Sequence, residues 1–222
     1  MKPLIVYTAI TGGLSDTLSA ITVPPDVRNR PIQYVCFSDS NIICPEGWEI
    51  QPLRFSGTDA RRIARWHKTM SHRLFDDVDL TLWHDGTHHL KVNPWKIVDD
   101  VDFRRQVFAT FRHPLRTCVY EEIQACLDLE KDAPENLLRH ASRYRDEGYP
   151  QGLGLFETAC VLRSTCRAVT ALNEIWWREI ETGSCRDQIS LPYAMWKLRF
   201  NAFGVLPGSR DESKYFNFRP HH

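Results

Sequence analysis

Short apolar runs separated by turn residues fill the first half of the chain, and each predicts a strand. Leu4-Ile5-Val6-Tyr7-Thr8 is a compact, β-branched stretch that stops at Thr11-Gly12-Gly13, the pattern of a buried strand ending in a flexible turn. Ile32-Gln33-Tyr34-Val35-Cys36-Phe37 repeats it and is closed by Ser38-Asp39-Ser40. Residues 48–53 alternate, with Pro52 marking a strand end or sheet edge. At Asp59 the period becomes helical: Ala60, Ile63, Ala64, His67, Met70 or Ser71, and Leu74 share a stripe, Arg61, Arg62, Arg65 and Lys68 lie largely off it, and Thr58 stands in the capping position. Leu80-Thr81-Leu82-Trp83 and residues 106–111 are further strands. The second half is richer in helix, over 120–130, 135–145 and 166–181, with a loop at 148–154 and a strand at 156–162. Ser184-Cys185-Arg186-Asp187 opens one more helix, the serine as N-cap and the acid three positions on. With no internal repeat, this alternation predicts a single α/β domain over residues 1–222, built around one sheet.

Composition narrows the function. The 222 residues carry 28 Lys and Arg against 28 Asp and Glu, a formal charge of zero. A general electrostatic grip on nucleic acid or an anionic membrane is therefore not expected, and any phosphate chemistry must come from a local site. No apolar run approaches the ~18–20 residues that span a bilayer, so no integral membrane segment is predicted. The opening run is too short for an export signal, which makes cytoplasmic the expected location. The seven cysteines never form a C-x-x-C pair and read as mostly buried thiols rather than a disulfide framework or zinc knuckle. His221 and His222 close the chain.

The strongest candidate for chemistry is Trp83-His84-Asp85-Gly86-Thr87. A buried strand ending in an acid and a glycine delivers a carboxylate to the sheet edge, where open α/β sheets bind ligands and where a divalent cation could bridge a diphosphate. Asp-Gly is equally a tight-turn dipeptide. His84, His88 and His89 surround the acid, but adjacent residues of a strand point to opposite faces, so at most one of His88 and His89 can join Asp85 at one site. The preceding helix is basic; its arginines either face solvent or supply guanidinium groups suited to phosphate. Gly12 and Gly13 would let backbone approach a nucleotide, without forming a known phosphate-loop motif. His113, in Arg112-His113-Pro114-Leu115-Arg116, is either a base or a partner to the backbone of its own turn. Glu157 is an acid inside an apolar strand, and Asp187 either caps its helix or serves a site.

Seven segments in order carry a wider likeness: Tyr7-Thr8-Ala9-Ile10-Thr11-Gly12-Gly13, Cys36-Phe37-Ser38-Asp39, Ala64-Arg65-Trp66-His67-Lys68, Leu82-Trp83-His84-Asp85-Gly86, His113-Pro114-Leu115-Arg116, Tyr120-Glu121-Glu122 and Arg186-Asp187-Gln188-Ile189-Ser190. Together, across about residues 4–200, they resemble the glycosyltransferase-like domain family that includes plant turgor-defect and mucilage-related proteins. The resemblance implies a GT-A-like, Rossmann-like nucleotide-sugar transferase domain with a mixed central sheet flanked by helices. It implies that Asp85 takes the place of an acid in the D-x-D metal motif, that Thr8, Gly12 and Asp39 lie near base and ribose, that Arg65 and Lys68 face the diphosphate, and that Asp187 and Gln188 line the sugar pocket.

One departure stands out: Asp85-Gly86-Thr87 replaces the second carboxylate of D-x-D by a hydroxyl, so a bound Mn2+ or Mg2+ would need His88 or the diphosphate to complete its shell. The expected activity is metal-assisted transfer of a sugar from a nucleoside diphosphate sugar to a glycan, lipid or protein acceptor, with Glu157 or Asp187 positioning acceptor or sugar. The alternatives are a metal-assisted hydrolase using Asp85 with His84, His88 or His113, and a noncatalytic nucleotide-sugar or glycan-binding module. The transferase reading requires Asp85, Arg65 and Asp187 to converge.

Overall fold

Leu4, Ile5, Val6 and Tyr7 are all buried because their strand, β1 (Leu4–Ile10), runs through the middle of a seven-stranded sheet covered on both faces. Successive side chains alternate between those faces. Ile5 and Tyr7 join one apolar cluster with Trp66, Trp83, Trp176 and Leu172, whereas Leu4 and Val6 join another with Leu82, Trp95, Ile97 and Phe216. The computed structural model describes residues 1–12, 18–39, 42–209 and 212–219; Gly13, Ser40, His221 and His222 lie outside them.

The strands β2 (Ile32–Ser38), β3 (Trp48–Pro52), β4 (Leu80–His84), β6 (Phe108–Arg112), β7 (Phe156–Ser164) and β8 (Phe203–Leu206) complete the sheet in the order β3-β2-β1-β4-β7-β6-β8. Strands β1 to β4 run parallel, β7 pairs antiparallel with both β4 and β6, and β8 is parallel to β6. The mixed sheet flanked by helices is the expected fold class. One face carries α1 (Ala60–Thr69), α6 (Arg167–Thr182) and α7 (Asp187–Lys197); α3 (Trp95–Asp99) and a ribbon of β5 (His88–Leu90) with β9 (Phe216–Phe218) lie against the other. A third apolar cluster joins α4 (Val119–Asp128), α5 (Pro134–Asp146) and α7 through Ile123, Leu137, Tyr144, Ile189 and Tyr193.

Parallel pairing places the ends of β1, β2 and β4 at one edge, so Gly12, Asp39 and Asp85 gather there. The antiparallel β7 brings its beginning to the same edge: His84 lies opposite Cys160, and the Asp85 amide donates to the Ala159 carbonyl at 2.8 Å.

Three local readings change. The N-cap of α1 is Asp59, whose carboxylate accepts from the Arg61 amide at 2.9 Å, one position after Thr58. The helix stops at Met70 (φ −97°, ψ 39°) and a short second helix, α2 (Ser71–Leu74), follows. Ser184 does not cap α7: Arg186 holds that position without a side-chain bond, while the Ser184 hydroxyl donates to Asp132 at 2.6 Å. Cys36, Cys118, Cys126, Cys160 and Cys185 are buried free thiols, Cys44 is exposed and Cys166 is half-buried. Among the described residues no helix is long and apolar enough to cross a membrane.

A buried cation fixes the end of α1. Arg163 on β7 is 1% exposed and donates to the carbonyl oxygens of Lys68 and Thr69, to Asn173 Oδ1 at 2.9 Å and to Tyr7 Oη at 2.7 Å. These carbonyls belong to the last turn of α1, whose oxygens lack helical partners. Arg163→Met is expected to cost about 2–4 kcal/mol, because it leaves buried acceptors unsatisfied. An unchanged urea midpoint in that variant would contradict this role.

Candidate active site

Lys68, near the end of α1, is 1% exposed, and its ammonium group is surrounded by oxygens. Nζ lies 2.6 Å from Asp187 Oδ2, 3.2 Å from Asp85 Oδ1 and 3.1 Å from Thr158 Oγ1. Thr158 in turn donates to Asp187 Oδ2 at 2.8 Å, and the Trp83 indole donates to Asp85 Oδ1 at 2.7 Å. Arg65, one turn before Lys68 on the same helix, sets Nε 3.3 Å from Asp187 Oδ1. Asp85, Arg65 and Asp187 therefore meet in one network, drawn from β4, α1 and α7.

Burial opposes charge on each acid here, and the neighbouring cations overcome it. Arg65 and Lys68 hold the Asp187 carboxyl far below the usual carboxylate range, and Lys68 and Arg65 lower that of Asp85. Burial would lower the Arg65 value, yet Asp187 and Asp85 leave it raised. The four groups are thus two carboxylates and two cations linked through Arg65–Asp187, Asp187–Lys68 and Lys68–Asp85 contacts.

Above this network opens a cleft of about 210 Å³, walled by Arg61, Arg65, Trp83, Asp85, Gly86 and Thr87. Ala60 and Ala64 on α1, with Ala9 and Thr11 at the end of β1, complete it. The alanines are one helical turn apart and leave the space that longer side chains would fill. Gly12 shapes the rim: its φ is +75°, its amide donates to Asp39 Oδ2 at 2.9 Å, and a Cβ there would stand 2.8 Å from that of Ala60. Gly12 and Asp39 are therefore bonded to one another beside the cleft, whereas Thr8 is fully buried inside the sheet and contributes no wall.

The other candidates lie apart. His113 Nδ1 accepts from the amides of Leu115 and Arg116 at 3.2 and 3.1 Å, and Nε2 stands 3.6 Å from Glu122. This is the turn-building alternative for that residue. Glu157 accepts from Gln188 Nε2 at 2.6 Å. Glu157, Gln188 and His113 border a second cavity of about 380 Å³, together with Arg116, Lys131 and Arg186. Consecutive residues of β7 and of α7 thus serve different places, Thr158 with Asp187 beneath the first cleft and Glu157 with Gln188 at the second.

The donor set does not suit a protein-held divalent cation. Asp85 Oδ1 already accepts from Lys68 and Trp83, and the Thr87 hydroxyl is engaged with His88 Nδ1 at 3.1 Å. His88 is 2% exposed, packed against Phe216 and Phe218, and borders a separate small cavity with His84 and His89. Asp85 thus borders the cleft and His88 the other cavity. Among the described residues no three His, Cys, Asp or Glu side chains group as a metal site. A dication at Asp85 would also face the Lys68 ammonium as a like charge.

Sequence reasoning passed over Thr158, Arg163, Ala60 and Ala64. A hydroxyl or a lone arginine in an apolar strand shows no spacing pattern, and alanine carries no chemistry of its own. The spacing of Ala60 and Ala64 was a usable signal, but one that also fits ordinary helix packing.

A seven-stranded mixed sheet flanked by helices matches the fold of solved glycosyltransferases. The chain superposes on the apo structure of the bifunctional glycosyltransferase WbbM with a TM-score of 0.54 at 10% identity, covering 93% of this chain and 39% of that one. It superposes on apo mouse xyloside xylosyltransferase 1 with a TM-score of 0.53 at 11% identity, covering 93% and 85%. At such identities the likeness is one of fold. The sequence pattern of the TOD1/MUCI70, glycosyltransferase-like domain matches residues 49–210, and the chain belongs to that family. It is 28% identical over 142 residues to a probable hexosyltransferase, MUCI70 of Arabidopsis thaliana, a match covering 60% of this chain and 24% of that protein. The chain spans about a quarter of the length of that relative.

Proposed function

We propose that this domain transfers a hexosyl group from a nucleoside diphosphate sugar to an acceptor hydroxyl on a glycan, lipid or protein, and that the cleft beside Asp85 and Arg65 receives the diphosphate. The observation that carries the reading is the Asp85–Lys68–Asp187–Arg65 network, placed at the sheet edge by three different elements. Transfer forms a bond from the acceptor oxygen to the anomeric carbon as the bond from that carbon to the diphosphate oxygen breaks; the acceptor proton passes to water or to the departing diphosphate, on which negative charge grows. Preorganised cations at that position stabilise the charge without reorganisation. Arg65 borders the cleft and its guanidinium suits phosphate oxygens. Lys68, held from below by two carboxylates, keeps the cleft floor electrically balanced.

Gly12 and Asp39 stand where the rim would meet base and ribose. Asp187, ionised and buried at the start of α7 beneath the cleft, is suited to hold Arg65 and Lys68 in position. Glu157 with Gln188, at the second cavity, is suited to position the acceptor. In this reading no step runs through a metal ion.

The test is a thermal-shift screen of UDP-, GDP- and other nucleotide sugars, followed by turnover assays. A true donor at a hundred times its Kd stabilises the fold by about 2.7 kcal/mol and raises the melting temperature. Arg65→Gln is expected to weaken that donor by about tenfold or more, through loss of charge-assisted bonds. If no nucleotide sugar shifts the melting curve, the reading fails. A shift without sugar release or transfer would instead support the noncatalytic binding module.

A further inference from the structure

We propose that this domain binds the diphosphate of its donor without a divalent metal ion, the positive charge being built into the chain as Lys68 and Arg65. The inference rests on the transferase reading above and concerns what neutralises the leaving group.

The argument begins with charge. A metal-dependent site keeps an excess of carboxylate that the dication offsets, so the protein alone is locally negative. Here Asp85 and Asp187 are matched by Lys68 and Arg65, and the cluster is neutral as it stands. The ammonium of Lys68 occupies the space between the two acids, donating to Asp85 and Thr158 and paired with Asp187 at 2.6 Å. A dication bound by both acids would have to expel Lys68 from a position that is 1% exposed and anchored through the Lys68 carbonyl to Arg163 and Tyr7.

The second line is the motif itself. In Asp85-Gly86-Thr87 the position that would supply another carboxylate supplies a hydroxyl, and that hydroxyl is turned to His88. The helix compensates from the opposite wall: Arg61 and Arg65, one turn apart, both border the cleft. Arg65 brings a planar fork that matches phosphate oxygens, and Arg61, more than half exposed, would reach a ligand by exchanging its bond to the Lys131 carbonyl at 3.1 Å and its contacts with Asp59 and Asp132 at 3.6 and 3.9 Å. A diphosphate entering the cleft would meet guanidinium groups at its oxygens and a fixed ammonium beneath Asp85.

The two designs predict opposite effects for one substitution. In a metal site, Asp85→Asn removes a ligand, and nucleotide affinity collapses. In a site with built-in cations, the same change removes a negative charge beside Lys68, so affinity for a diphosphate is kept or rises. The amide oxygen of asparagine can still accept from Trp83 and Lys68, which favours a folded variant.

Metal-stripped protein is titrated by calorimetry with UDP, GDP, ADP and CDP, in chelator and then with Mn2+ or Mg2+. The expected result is a nucleoside diphosphate whose Kd differs by less than about threefold between the two conditions. Asp85→Asn is expected to bind at least as tightly as the parent, and Arg65→Gln about tenfold to a hundredfold more weakly. Lys68→Arg, which keeps the charge, is expected to retain more affinity than Lys68→Met, with circular dichroism confirming that both are folded. Binding that appears only with Mn2+ or Mg2+ and is lost in Asp85→Asn overturns the inference and leaves the transferase reading standing. No binding of any nucleoside diphosphate in either condition overturns both.

Discussion

Asp187→Asn is expected to destabilise the protein by about 3–5 kcal/mol, the typical cost of leaving one member of a buried ion pair uncompensated. The carboxylate is 3% exposed and touches Lys68 Nζ at 2.6 Å, Thr158 Oγ1 at 2.8 Å and Arg65 Nε at 3.3 Å. Asparagine preserves the shape and the backbone carbonyl that accepts from Trp176 Nε1, so the loss reports charge rather than packing. Lys68→Met should cost a similar amount, since it leaves Asp187 and Asp85 facing each other. Combined, the two changes should fall short of the sum by about 2 kcal/mol, within the range found for residues that share a network. Urea unfolding of the four proteins measures this coupling. Strict additivity would mean that the Lys68–Asp187 contact contributes nothing to the folded state.

This network also shows how far the sequence could be read. The strands β1, β2 and β4 were legible because burial on both faces makes a continuous apolar run, and α1 because its apolar residues keep a helical period. The elements that sequence reasoning missed, α3, β5, β8 and β9, are three to five residues long, too short to show a period. The pairing of β7 between β4 and β6 is a long-range choice that no local pattern records.

For the site, the order of short motifs brought Asp85, Arg65, Lys68 and Asp187 into one expectation, and the fold brings those four side chains together. What the sequence hid was depth. Lys68 lies off the apolar stripe of α1 and reads as solvated, yet α1 is packed by the sheet on one side and by α6 on another, so the ammonium is enclosed. Enclosure is what turns a basic helix face into a fixed counter-ion.

Stability is expected to fall steeply as pH drops from about 6.5 toward 4, before the acids of the cleft begin to protonate. The cause is three buried imidazoles. Burial pushes His67, His84 and His140 down to about 4, from the usual 6.5 of a histidine. Below the unfolded value the unfolded chain takes up protons that the folded chain refuses, so stability is full above pH 6.5 and is lost on the way down to the folded value. The contacts agree with neutral rings: His67 donates from Nδ1 to the Ile63 carbonyl at 2.8 Å and accepts at Nε2 from the Arg54 amide at 3.0 Å, so a second proton would displace a bond. His84 donates to the Asp85 carbonyl and His140 to that of Glu179, both at 3.2 Å. Each histidine can contribute about 3 kcal/mol over this interval, and three together approach a slope of about 4 kcal/mol per pH unit near pH 5. A typical domain holds only about 5–15 kcal/mol, so unfolding is expected before the lowered carboxyls of Asp85 and Asp187 titrate. Urea midpoints measured between about pH 7.5 and 4.5 give the slope, and His140→Leu should reduce it by about one proton while leaving the cleft untouched. A profile that stays flat down to pH 5 would mean that these rings accept protons in the folded state.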